Sequence, residues 1–403
     1  MASPITKTEM RFASALTTST SLPEACQALV DQVESQMEGL DLHLVLTFVS
    51  PHFRTVAADL ADSLRHRLSP ELLIGCTAEG VISRDKEIER SAAITLVAAH
   101  LPGVQMSPFA LQAASWDDFL ADQVSLMNVV GAPPNTKLIM LLADPYTTPM
   151  DTVLAAFNHS YPGVPMVGGM ASGSARPGGN ALFFNQRLLN NGAVGVAFAG
   201  AFDVDVVVSQ GCRPIGEPVS ITSVKENMIL SLDYDPPLIR LREIVSDLSE
   251  QDRQLLENGL YIGRVINDEE DELGRGDFLI RGVMGIDQQS GALVVGDYFE
   301  NDEVVQFHLR DASTAKEDLE MMLTPQQFYG PPSGGFLFSC NGRGTRLYDH
   351  PNGDISTIQR VIGDVSLAGF FCAGEIGPVG GKNFLHGQTA SLALFRPAGE
   401  WTD

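Results

Sequence analysis

The stretch LLIGCTAEG at 72–80 is an apolar run interrupted by Gly75 and closed by Gly80. The same spacing returns in PMVGGMASG at 165–173, with Gly168 and Gly173, and in LAGFFCAG at 367–374, with Gly369 and Gly374. Three recurrences of one glycine pair argue for a backbone requirement, because glycine alone admits positive φ and close main-chain approach without steric cost. The pair is expected to form a tight turn at the carboxyl end of a strand, with its N–H groups bare.

Working outward, each stretch has the same flanks. LHLVLTFVSP (42–51), KLIMLLADP (137–145) and GGFLFSCNGRG (334–344) precede as strands. HFRTVAADLADSLRHRL (52–68), MDTVLAAFNHSY (150–161) and DISTIQRVIG (354–363) intervene with apolar residues at helical spacing. AAITLVAAHL (92–101), GAVGVAFAG (192–200) and TASLALF (389–395) close each copy. The repeat is therefore β-α-β-loop-β, a threefold internal similarity. Near-continuous apolar strands imply sheets covered on both faces.

Between the second and third copies, 204–212, 218–234, 276–287, 291–299 and 303–311 read as strands, with helices over 236–248 and 313–323. LYIGRVI (260–266) ahead of FLIRGV (278–283) is read as a worn fourth copy. The fold class is α/β: two lobes of repeated units with largely buried mixed sheets, plus an antiparallel meander in the second lobe. The expected domains are 40–235 and 236–397.

The chain has 403 residues, 44% apolar and 19% charged, enough for substantial cores. A net charge of −24 with no basic run argues against nucleic acid and anionic membrane as partners. The acidic run NDEEDELGRGD (267–277) lacks the glycine and glutamate placement of an EF-hand and reads as a solvated loop. Five scattered cysteines fit free thiols in a reducing compartment, and no stretch is long and apolar enough to span a membrane, so a cytoplasmic protein is expected. No metal motif, P-loop or dinucleotide fingerprint is present, and no cofactor is expected.

Two chemistries compete at the glycine turns. In an enzyme, Cys340 or Cys372 would be a nucleophile activated by His386 or Lys382. In a binding protein, Arg343 would take a carboxylate while Glu375 or Glu79 takes an amino group, and Cys76, Asn341, Gly374 and His386 line the same site. The second reading suits an amino acid. The residues Phe336, Phe338, Phe370 and Phe371 are expected in the core.

The segments IGCTAEG, NGAVGVAFAG, SCNGRG and FFCAGEIGPVGGKNFLHGQTASLALF resemble the FIST family, with its N-terminal and C-terminal FIST domains, over roughly 40–395. The resemblance implies an intracellular sensory domain for small ligands such as amino acids, often joined to signalling modules. Its eukaryotic relatives include an F-box ubiquitin-ligase substrate adaptor. It carries ligand-facing roles onto Cys340, Asn341 and Arg343 in SCNGRG and onto Cys372, Gly374 and Glu375 in CAGEIGP. Neither terminus has room for an output module, so a separate signalling protein is the expected partner, with a protein-interaction scaffold as the remaining alternative.

Overall fold

A computed structural model of the chain describes residues 9–266, 273–274 and 276–399. Most of the acidic run at 267–277 lies outside these. Contacts divide the chain into two compact units, one of 1–208, 319–385 and 389–403, the other of 209–318 and 386–388. The division falls at 208/209 and 318/319, whereas the boundary drawn from the sequence stands at 235/236.

The first unit contains all three glycine repeats, each built into a mixed six-stranded sheet. In the first sheet the order is Arg11–Thr17, Ile94–His100, Leu44–Val49, Leu72–Thr77, Leu182–Phe184, Arg187–Leu189. In the second it is Val104–Leu111, Ala193–Gly200, Thr136–Ala143, Met166–Met170, Glu375–Val379, Lys382–His386. In the third it is Phe202–Gln210, Thr389–Pro397, Gly334–Cys340, Leu367–Cys372, Gly80–Ser83, Glu87–Glu89. The central pair of each sheet is parallel, as the repeat requires.

The last two strands of every sheet come from another copy. The hairpin of the first copy (80–89) completes the third sheet, that of the second (182–189) completes the first, and that of the third (375–386) completes the second. The exchange closes into a ring. Each repeat is also longer than its glycine signature shows, since it begins with an edge strand and a helix. Arg11–Thr17 and helix Leu22–Met37 serve the first copy, and Val104–Leu111 with helices Trp116–Ala121 and Gln123–Val130 serve the second. In the third copy, 211–311 separates edge strand Phe202–Gln210 from helix Ala312–Leu323.

Both faces of each sheet are covered, which explains the unbroken apolar strands. One cluster joins all three sheets through Leu46, Phe48, Met140, Phe198, Phe336, Phe370 and Phe395. The opposite faces pack on their own helices, for example Leu60 and Leu64 of helix Ala57–Leu68 in the first copy. Phe336, Phe338, Phe370 and Phe371 are core residues as expected. Burying each such ring stabilises the fold by ~2 kcal/mol relative to exposure.

The second unit contains a closed barrel in the order Cys212–Lys225, Met228–Leu232, Leu293–Val295, Phe278–Ile286, Leu260–Val265, Val304–Arg310. Ile221, Ile262, Leu293 and Phe307 fill its interior. The expected antiparallel meander is part of this barrel, which closes because the long, bulged Cys212–Lys225 strand pairs with both Met228–Leu232 and Val304–Arg310. The expected fourth copy is corrected too. Leu260–Val265 and Phe278–Ile286 pair antiparallel, whereas a repeat needs a parallel pair at that point.

Candidate functional site

The glycines explain how the strand ends meet. Gly75, Gly168 and Gly369 lie opposite Thr47, Leu141 and Leu337 of the parallel neighbour strand. A Cβ at these glycines would stand 1.8, 1.9 and 1.9 Å from those residues' carbonyl oxygens. Each second glycine sits where the chain crosses to another copy. A Cβ on Gly80 would meet Phe371 at 2.9 Å, and one on Gly173 would meet Thr77 at 2.7 Å. Gly374 takes φ +117°, and its carbonyl accepts from Met170 N–H at 2.8 Å.

This placement corrects the expected role of the turns. Their main-chain groups are spent on one another: Gly173 N–H donates to Thr77 O (3.2 Å), Ala373 N–H to Met170 O (3.0 Å) and Asn341 N–H to Cys372 O (2.8 Å). Beneath them the space is filled by the shared core, which includes Cys76, Ala78, Ala171 and Cys372. The glycines serve close packing, and among the described residues these turns pair their main-chain groups over a filled core rather than around a hollow.

What converges at the surface is a set of side chains from all three copies. Glu79 Oε2 accepts from Arg346 Nη1 at 3.2 Å and from Asn341 Nδ2 at 3.4 Å, while Oε1 accepts from Arg346 Nη2. Arg346 Nη1 also donates to Asn341 O at 2.6 Å. Glu79 N–H donates to Ser172 Oγ at 2.8 Å, and Ser172 Oγ–H in turn donates to Phe371 O. The Glu79 and Arg346 side chains remain 33% and 38% exposed. Cys340, 5% exposed, closes its strand beside this rim, and Gly342 N–H donates to its Sγ at 3.4 Å.

The chain matches the FIST N domain over 43–235 and the FIST C domain over 238–378. An uncharacterized protein of Mycobacterium tuberculosis is 38% identical over 396 residues, covering 96% of this chain and 100% of the relative. One of Mycobacterium bovis is 37% identical over 380 residues, covering 93% and 96%. The chain belongs to the FIST family.

In this FIST protein Arg343, Cys76, Cys372, Glu375 and His386 are buried. Arg343 is fully buried and committed to Asp354: its Nη2 donates to Oδ1 at 2.6 Å and its Nε to Oδ2 at 2.9 Å. Ser339 Oγ (2.8 Å) and the Tyr348 hydroxyl (2.8 Å) complete the Asp354 carboxylate. Burial alone would raise the Asp354 pKa, but the Arg343 charge and these hydrogen bonds outweigh it and hold it below the ordinary range. An internal carboxylate thus occupies the fork expected to hold a ligand. The acid was visible in the sequence at the start of DISTIQRVIG, eleven positions on.

Cys76 and Cys372 are fully buried. Burial pushes both thiols well up, and Glu375, Cys76 and Cys340 push Cys372 further, so neither is poised as a thiolate. Glu375 is buried and accepts from Thr389 N–H at 2.7 Å. His386, 2% exposed, is assigned by contacts to the second unit, and Lys382 is exposed on its hairpin. The structure therefore brings Glu79, Asn341 and Cys340 together. Ser172 and Arg346 were missed, although Arg346 lies three residues beyond Arg343 in the same loop. Among the described residues no helix is long and apolar enough to cross a membrane, and no cluster of potential ligands could hold a metal ion.

Proposed function

We propose that this FIST protein is an intracellular sensor for a small zwitterion, with an α-amino acid seated on Glu79, Asn341 and Arg346 and the signal passed to a separate protein. The observation that carries this reading is the half-exposed Glu79–Arg346 pair at the meeting point of the three repeats. A carboxylate and a guanidinium side by side match a ligand bearing both opposite charges, which replaces each partner in kind. Asn341 adds an amide that donates and accepts. The position also favours signalling, because Glu79, Ser172 and Asn341 belong to different copies and a ligand there biases their mutual packing.

Thermal unfolding with the standard amino acids, each paired with its N-acetyl and carboxamide derivatives, tests the reading. A ligand at ~100 times its Kd adds about 2.7 kcal/mol to native-state stability, while derivatives lacking one charge give little shift. Equal shifts from parent and derivatives, or none from any, would count against it.

A second reading, a cysteine-dependent enzyme acting on a small metabolite, is favoured by the Gly342 N–H on Cys340 Sγ and by the nearby Arg343 and Arg346 guanidiniums. It requires Cys340 to alkylate far faster than the other four thiols near neutral pH.

A further inference from the structure

A separate cleft of about 450 Å3 opens on the second sheet, lined by Gln112, Trp116, Thr147 and Asn191 with Ala113 and Ala114 at its wall. It lies where Val104–Leu111 ends, where Ala193–Gly200 begins and just past Thr136–Ala143. These three strands pair antiparallel, so the cleft gathers the carboxyl ends of two strands and the amino end of the one between them. The cleft's size falls within the small-molecule range.

The floor is fixed in advance. Trp116 Nε1–H donates to Thr147 O at 2.7 Å, setting the indole's orientation. Thr147 Oγ1 donates to Asp144 Oδ2 at 2.8 Å and accepts from Gly192 N–H at 2.9 Å. Asp144, fully buried, is held further by Tyr146 N–H at 3.1 Å and Asn180 Nδ2 at 3.2 Å. The rim, by contrast, is adjustable. Gln112 and Asn191 are exposed, and among the described residues their side chains join each other and Arg187, through Gln112 Nε2 to Asn191 Oδ1 and Arg187 Nη2 to Gln112 Oε1.

We propose that this cleft binds a neutral sugar ring, stacked on Trp116 and hydrogen-bonded through its hydroxyls to Gln112 and Asn191. The residues lining the cleft are all uncharged, and Arg187 reaches its rim only by donating to Gln112 Oε1, so hydrogen bonding to amides rather than ion pairing dominates the lining. Primary amides both donate and accept, the pairing that vicinal hydroxyls need. The single aromatic wall suits a puckered ring with one apolar C–H face toward the electron-rich indole, whereas a planar base is better served by a slot between two walls.

The sequence has two tryptophans, so Trp401→Phe leaves Trp116 as the sole indole reporter. Its emission is followed while glucose, N-acetylglucosamine, cellobiose and, as the contrasting class, adenosine are titrated into the full chain. The expected result is a saturable change with at least one sugar at a Kd of millimolar order or tighter. Gln112→Ala with Asn191→Ala should weaken it about tenfold or more, at an unchanged melting temperature. No saturable change with any sugar, a response to adenosine alone, or sugar binding unaffected by the paired substitution overturns the proposal. Because Glu79 and Arg346 take no part, the outcome is independent of the amino-acid reading.

Discussion

Arg343 and Asp354 share a solvent-free environment, so removing either charge leaves the other buried and uncompensated. Arg343→Met or Asp354→Asn should each destabilise the fold by ~3–5 kcal/mol, and the double substitution by less than the sum, as read by urea unfolding. Glu87 borders the same network. Its Oε1 accepts from Ile355 N–H at 2.9 Å, and among the described residues its Oε2 has no hydrogen-bond partner. Burial, then Asp354 and Glu89, push its pKa up to about 8, against the Ile355 N–H and the Arg343 charge. The folded state therefore holds a proton that the unfolded chain releases near its ordinary value. Stability should fall as pH rises from about 5 to about 8 and level off above, with Glu87→Gln flattening that slope. Single residues of SCNGRG were legible as chemistry but not as geometry: a guanidinium's composition does not say whether its carboxylate arrives from solvent or from the helix that follows.

At the scale of elements, the glycine spacing revealed the repeat because the requirement is local, one residue facing one neighbour's carbonyl. Gly168→Ala combines φ +138° with a carbonyl oxygen 1.9 Å from the new Cβ. It should cost ~3 kcal/mol or more, or prevent folding, as measured by circular dichroism melting. The exchange of hairpins was not legible. Residues 80–89, 182–189 and 375–386 pair with strands of other copies, and three similar sheet edges offer the same local pattern. The edge strand Arg11–Thr17 was also missed, lying ahead of the first glycine signature, as were the short strands at 80–83 and 87–89. The barrel's strands were mostly readable from alternation, but closure depends on a long-range pairing between 212–220 and 304–310.

At the scale of the whole molecule, the first unit is a ring of three repeats, and in sequence the second is an insertion between two elements of the third repeat. The links from edge strand to helix occupy only 18–21 and 112–115 in the other copies. Replacing 211–311 by a comparably short link should therefore leave the first unit cooperatively folded, with a single unfolding transition and the smaller denaturant m-value of a shorter chain. Loss of all cooperative unfolding would mean that the ring depends on the inserted unit. The functional account rests on the ring as well, since only its closure brings Glu79, Ser172, Asn341 and Arg346 together. The most direct test is calorimetric titration of the standard amino acids into the native chain and into Arg346→Gln. Because an exposed pair contributes ~0–1 kcal/mol to stability, this variant should fold normally. The account expects one amino acid to bind the native chain and to lose about tenfold or more in affinity for the variant. Binding of equal strength to both proteins, or to neither, would contradict it.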